Sequence, residues 1–153
     1  MEHDLIGPRS PGRRRSVTHS RKLWRDLALQ ALAFAVLVTA VSSLWRNNLL
    51  LALFVLVEGG IALAFWHDAR DISFLLVIGG MGSVAEAVFV VSGAWHYANP
   101  SFFGVPLWFP IAFGTAGLIG RRLSCTMAGL WEEVVRRQAQ PLIADPTVNS
   151  QLD

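Results

Sequence analysis

Two carboxylates stand inside otherwise apolar stretches of this chain: Glu58 in LLLALFVLVEGGIALAFW and Glu86 in ISFLLVIGGMGSVAEAVFVV. An ionisable side chain at mid-bilayer costs about 3 kcal/mol on insertion scales, so it is kept only with a partner, a proton or a task. Carboxyls in apolar surroundings hold their proton to higher pH and can then act as general acids near neutrality. Shortly after Glu86 come Trp95, His96, Tyr97 and Asn99, and then Trp108. We read Glu86, His96 and Tyr97 as the candidate catalytic set. Glu58, Trp95, Asn99 and Trp108 are the candidate substrate-binding residues. The plainer alternatives are interhelical hydrogen bonds for the two carboxyls and an interfacial aromatic belt for His96 and Tyr97.

The spacing of other residue types excludes several chemistries. No zinc spacing, phosphate loop, nucleophile elbow or flavin fingerprint occurs, so neither a metal nor a cofactor is expected. The single cysteine, Cys125, rules out an intrachain disulfide. It is read as an inert thiol, with palmitoylation the alternative. His67, Asp68 and Asp71 fall on the opposite side of the membrane from His96 and form no common site with it. The two aspartates are read as solvated turn residues.

The elements that must carry these residues follow from composition. Of 153 residues 53% are hydrophobic and only 16% charged, against about 25% charged in soluble domains. A water-soluble domain of this size has too little interior for so much apolar side chain. The chain is therefore read as all-α and polytopic: a four-helix transmembrane bundle over 23–122, with a C-terminal cytoplasmic amphipathic helix. The spans are 27–44, 49–66, 72–91 and 105–119; the first three approach the length a bilayer requires, and the fourth is short, with Pro106 and Pro110 near its start. Residues 1–22 read as a disordered basic tail. Without aromatic interleaving and beside a span, that tail is not expected to bind nucleic acid.

Charge orients the bundle. With the N-terminus inside, twelve Lys and Arg fall on the cytoplasmic side, and Arg46 alone lies outside. That asymmetry predicts cytoplasmic termini. Leu123, Met127, Leu130, Trp131, Val134 and Val135 recur at spacings of three and four, so 123–140 reads as an amphipathic helix. It either continues the fourth span or lies in the headgroup plane. Pairs Glu132–Arg136 and Glu133–Arg137 support it; Pro141 and Pro146 are expected to end it, leaving 141–153 as a flexible tail.

Depth follows from a rise of about 1.5 Å per residue. Glu58 falls near the midplane and Glu86 in the outer half, so adjacent antiparallel helices could bring them together. Gly79, Gly82, Ser83 and Gly93 share the face of Glu86, a small-residue stripe that lets backbones approach. A second stripe, Ala112, Ala116 and Gly120, is expected to pack the fourth span against the third.

From Glu86 to Pro110 the chain reads EAVFVVSGAWHYANPSFFGVPLWFP. An intramembrane Glu, then Ser-Gly-x-Trp-x-Tyr, then Gly-x-Pro-x-Trp, resembles a family of small bacterial multispanning membrane proteins. More distantly it is similar to membrane carotenoid hydratases and related carotenoid-synthesis proteins. That resemblance implies an apolar pocket lined by Tyr97 and tryptophans, with Glu86 as proton donor to a polyene double bond. The leading expectation is a membrane protein that binds or modifies a lipid or isoprenoid near the outer leaflet. The alternatives are a non-catalytic subunit or scaffold and a small oligomeric proton- or cation-coupled transporter. The expected partners are the bilayer, a hydrophobic small molecule, and either a second copy or a cytoplasmic protein docked through 123–138.

Overall fold

The computed structural model describes the backbone of residues 12–66 and 68–143 and the side chains of 20–66 and 68–138. These residues form four helices: α1 (Gly12–Leu44), α2 (Asn48–Trp66), α3 (Ala69–Val91) and α4 (Phe109–Ile143). Three stretches are long and apolar enough to cross a membrane: Ser20–Leu44, Asn48–Trp66 and Ala69–Val91. Two boundaries differ from the sequence reading. Residues 12–22, expected to be disordered, open α1, while 1–11 lie outside the described residues. Residues 105–108 belong to the preceding loop, and α4 runs without a break from Phe109 past Pro141 to Ile143. The fourth apolar run and the amphipathic segment are thus one helix of 35 residues, where about 20 suffice to span a bilayer. Most of the expected flexible tail, 144–153, lies outside the described residues, as does His67.

The helix ends follow from local chemistry. Asn47 opens α2: its side-chain oxygen accepts the amide of Leu50 at 3.1 Å. Asp68 caps α3 by accepting the amide of Arg70 at 3.0 Å. At the far end of α3, Gly93 takes φ +80. The amide of Gly93 bonds the carbonyl of Val90, and the amide of Ala94 bonds that of Phe89. This paired closure needs a residue in the left-handed region, which glycine enters without strain.

The chain divides into two compact units, Ala28–Cys125 and a second made of Met1–Leu27 with Thr126–Asp153. In the first, the core is Leu37, Ala40, Leu51, Ala52, Val55, Ala62, Trp108, Ala112, Leu118 and Ile119. Large apolar side chains also face outward, among them Ile61, Leu76, Met81, Val84 and Val88. An apolar exterior around an apolar core is the arrangement hydrocarbon allows, because close packing rather than water exclusion holds such helices together. In the second unit, Leu23 packs against the Cα of Gly129. Thr126 and Glu133 are buried there, while Met127 and Trp131 are exposed. Of the two expected i,i+4 pairs, Glu133 with Arg137 is formed, the guanidinium Nε donating at 3.1 Å.

Glycines set the contact between α3 and α4. A Cβ on Gly79 would stand 2.6 Å from the carbonyl oxygen of Pro110 and 3.3 Å from the Cα of Gly114. Gly82 lies under the ring of Phe113, and Gly117 meets Ile78. Of the stripe expected on α3, Gly79 and Gly82 are in contact while Gly93, past the helix end, faces open space; α4 offers Gly114 and Gly117 instead of Ala112, Ala116 and Gly120. Ala112 turns into the core, and Gly120 faces open space. Alanine's methyl group keeps backbones apart where glycine does not, which selects the glycine face.

Gly79→Leu should lower stability by about 1–3 kcal/mol, the usual cost of overpacking. Gly80→Leu, with nothing near its Cα, should change stability little. Thermal unfolding in detergent separates the two variants.

Candidate functional site

The loop between α3 and α4 folds back onto the membrane carboxylate. Glu86 is 9% exposed. Its Oε1 accepts the indole N–H of Trp95 at 2.6 Å and the phenol of Tyr97. Sequence distances of nine and eleven residues are closed by the reversal at Gly93, which a continued helix would not allow. The Trp95 ring packs on Phe89 with centroids 5.2 Å apart. Tyr97 meets Trp108 edge-on at 6.4 Å and Phe109 at 6.3 Å. A carboxylate receiving two donors on one oxygen is a strong latch, because charge-assisted bonds exceed neutral ones.

Two further devices shape the loop. Phe103 (φ 51) and Gly104 (φ 79) form a tight turn. Around it, the amide of Phe102 bonds the carbonyl of Val105, and the amide of Val105 bonds that of Phe102. Asn48 donates to the carbonyl of Asn99 at 2.7 Å and to the Ser101 hydroxyl at 3.2 Å. Asn99 in turn donates to the carbonyl of Arg46 at 3.0 Å. The α1–α2 turn and the α3–α4 loop are therefore tied at the same end of this unit. Asn99, read as substrate-binding, spends its amide on this tie.

Beside the latch lies a cavity of about 420 Å³ walled by Val41, Ser42, Trp45, Tyr97, Asn99 and Trp108, with Ala98 and Pro106. An apolar groove of about 230 Å³ runs between α1 and α4 past Phe34, Leu37, Val38, Ala112, Phe113 and Ala116. Cavity and groove share Val41, Ser42 and Trp108. Trp108 is 8% exposed, and its buried indole N–H has no hydrogen-bond partner among the described residues. Of the residues singled out from sequence, the structure thus gathers Glu86, Trp95, Tyr97, Asn99 and Trp108. His96 is exposed and is not part of the latch. Glu58 stands apart from Glu86, in the wall of a different groove between α1 and α2. The two carboxyls do not share a site.

A cluster that sequence reasoning passed over occupies the other end. Asp71, expected to be solvated, is fully buried. It accepts from Arg121 and, through both its oxygens, from Arg122. Arg121 also reaches Asp68 at 2.9 Å, and Arg122 donates to the carbonyl of Trp66 at 3.3 Å. Each guanidinium lies over an aromatic ring, Arg121 on Phe74 and Arg122 on Trp66. The arginine pair had been counted only as inside charge. Its signal was the position of Asp71 within the first turn of an apolar helix, where an unpaired carboxylate is costly.

Comparison with family models, with curated proteins and with solved structures finds no match to the chain.

Removing the buried carboxylate by Asp71→Ala should cost about 3–5 kcal/mol, since both guanidinium partners lose it. Asp68→Asn should cost far less, because asparagine also caps a helix well. The Asp68 carboxyl is held below its usual range by the Arg70 amide and by Arg121. Its contribution is therefore full above the ordinary carboxylate range and is lost as pH falls from there through the lowered folded-state titration. Acid unfolding should accordingly be shallower in Asp68→Asn than in the wild type.

Tyr97 is the chain's one tyrosine, so phenolate absorbance reads it directly. Burial, and then the bond to Glu86 with the carboxylate's charge, push its ionisation up. The wild type should show no phenolate at pH about 10, where a free tyrosine is half ionised. Glu86→Ala should bring the titration down, because both the bond and the charge are removed. An unshifted titration in that variant would break the latch.

Proposed function

We propose that this protein is a four-span membrane protein that binds a lipid or isoprenoid amphiphile at its outer end. In this reading Phe109–Ile119 completes the bundle as the fourth span, and both termini are cytoplasmic. The observation that carries it is that the aromatic cavity and the α1–α4 groove lie side by side on the shared wall of Val41, Ser42 and Trp108. The groove is apolar and suits a chain. The cavity adds the Trp108 N–H, which has no partner among the described residues and suits an uncharged head that carries an oxygen acceptor. Isoprenoid chemistry is in keeping with the resemblance of 86–110 to carotenoid-synthesis proteins.

Glu86 acts here as a positioning residue. Its Oε1 accepts from two protein donors, and it lines neither the cavity nor the groove. By holding Tyr97 it fixes one wall of the cavity. The expected activity is accordingly binding, with the proton-donor role implied by the resemblance set aside.

Photolabelling in nanodiscs tests this, with a diazirine-bearing isoprenoid alcohol as probe. Label should fall on the α1 and α4 residues of the groove. Ala116→Phe, which fills the groove, and Trp108→Ala should each reduce it about tenfold, as expected for loss of a well-packed contact. Glu58→Gln should leave it unchanged. Equal labelling of the wild type and Ala116→Phe would overturn the reading.

A further inference from the structure

Glu58 is the eleventh of the nineteen residues of α2, which puts it at the middle of the span. Both carboxyl oxygens are buried, and no hydrogen-bond donor among the described residues reaches either of them. The other two carboxylates of the apolar region are differently placed: Glu86 has Trp95 and Tyr97, and Asp71 has two arginines. Glu58 stands in the wall of a groove of about 380 Å³ between α1 and α2. Every other lining residue is apolar or aromatic, including Leu32, Ala33, Phe54, Phe65 and Trp66. Arg122, the cation over Trp66, is committed to Asp71 and to the Trp66 carbonyl.

A carboxyl left in this state in hydrocarbon is kept by a proton or by a partner from outside the chain, and a proton alone leaves both oxygens without a hydrogen-bond partner. A water molecule does not fit, because it needs two to four polar neighbours and the groove offers one. A divalent metal needs several oxygen ligands, and no metal-binding group of side chains occurs among the described residues. A phospholipid headgroup stays at the interface, far from mid-span. An anion is repelled.

We propose that the Glu58 groove binds a lipophilic amine: an apolar molecule whose polar group is a protonated nitrogen, seated at the carboxyl. An ammonium brings up to three donors and the opposite charge, so it can serve both oxygens, where a hydroxyl brings one donor and no charge. Phe54, Phe65 and Trp66 add aromatic rings that favour a desolvated cation. This site is separate from the outer cavity, and its lining shares no residue with it.

The experiment uses the full chain in nanodiscs of neutral phospholipid, with photoreactive hexadecylamine as probe. Hexadecylamine, hexadecanol and hexadecanoate serve as competitors. The amine should compete about tenfold better than the alcohol, the gain of a charged hydrogen bond over a neutral one, and the acid should not compete. Glu58→Gln should bring amine binding down to that of the alcohol. Ala33→Phe, which fills the groove without touching the carboxyl, should remove labelling. Trp108→Ala should leave it intact. Equal competition by amine and alcohol on the wild type would overturn the proposal, as would amine labelling indifferent to Glu58→Gln. Should Glu58→Gln fail to fold, the wild-type comparison of amine with alcohol decides alone.

Discussion

In hydrocarbon a polar side chain has no water to fall back on, so each must find its partner within the protein or from a ligand. The described apolar unit is organised around that demand. Asp71 is served by Arg121 and Arg122, which joins the start of α3 to α4. Glu86 is served by Trp95 and Tyr97, which draws the α3–α4 loop down onto the bundle. At the same end Asn48 and Asn99 use their amides to tie that loop to the α1–α2 turn. Glu58 breaks the pattern, as do the Trp108 N–H and the Thr115 hydroxyl, which also lack a partner among the described residues.

These bonds depend on how closely the backbones approach. Gly79 against Pro110 and Gly114, and Gly117 against Ile78, bring α3 and α4 together. A side chain at Gly79 would hold the two helices apart. That would move Asp71 and the arginines, which lie on the same two helices. The small-residue packing and the ionic cluster are thus two parts of one contact. The aromatic cavity depends on the same approach, because Tyr97 packs on Trp108 and Phe109 at the start of α4.

Much of the candidate site was legible in the chain. Glu86, Trp95, Tyr97, Asn99 and Trp108 were singled out by type and spacing, and the structure gathers them. Their roles were less legible. His96, between Trp95 and Tyr97, is exposed and makes no bond to Glu86. Asn99 serves a backbone tie. Asp71 was misread because its partners lie fifty and fifty-one residues away, beyond the reach of any local pattern. Continuity of α4 through Arg121–Arg122 was left open because a polar interruption ends a span in composition without ending a helix in hydrogen bonding.

What the sequence determined by itself is whatever depends on local composition and helical period: a membrane protein, its apolar stretches, and the carboxyls stranded within them. Burial in hydrocarbon is a sum over neighbouring residues, so it survives without knowledge of the fold. Only the tertiary structure decided which carboxyl is partnered and by what. That depends on loop reversals at Gly93 and Gly104 and on which glycine face of α4 meets α3. Pairing is a relation between distant segments, and small differences in backbone approach select one face over another.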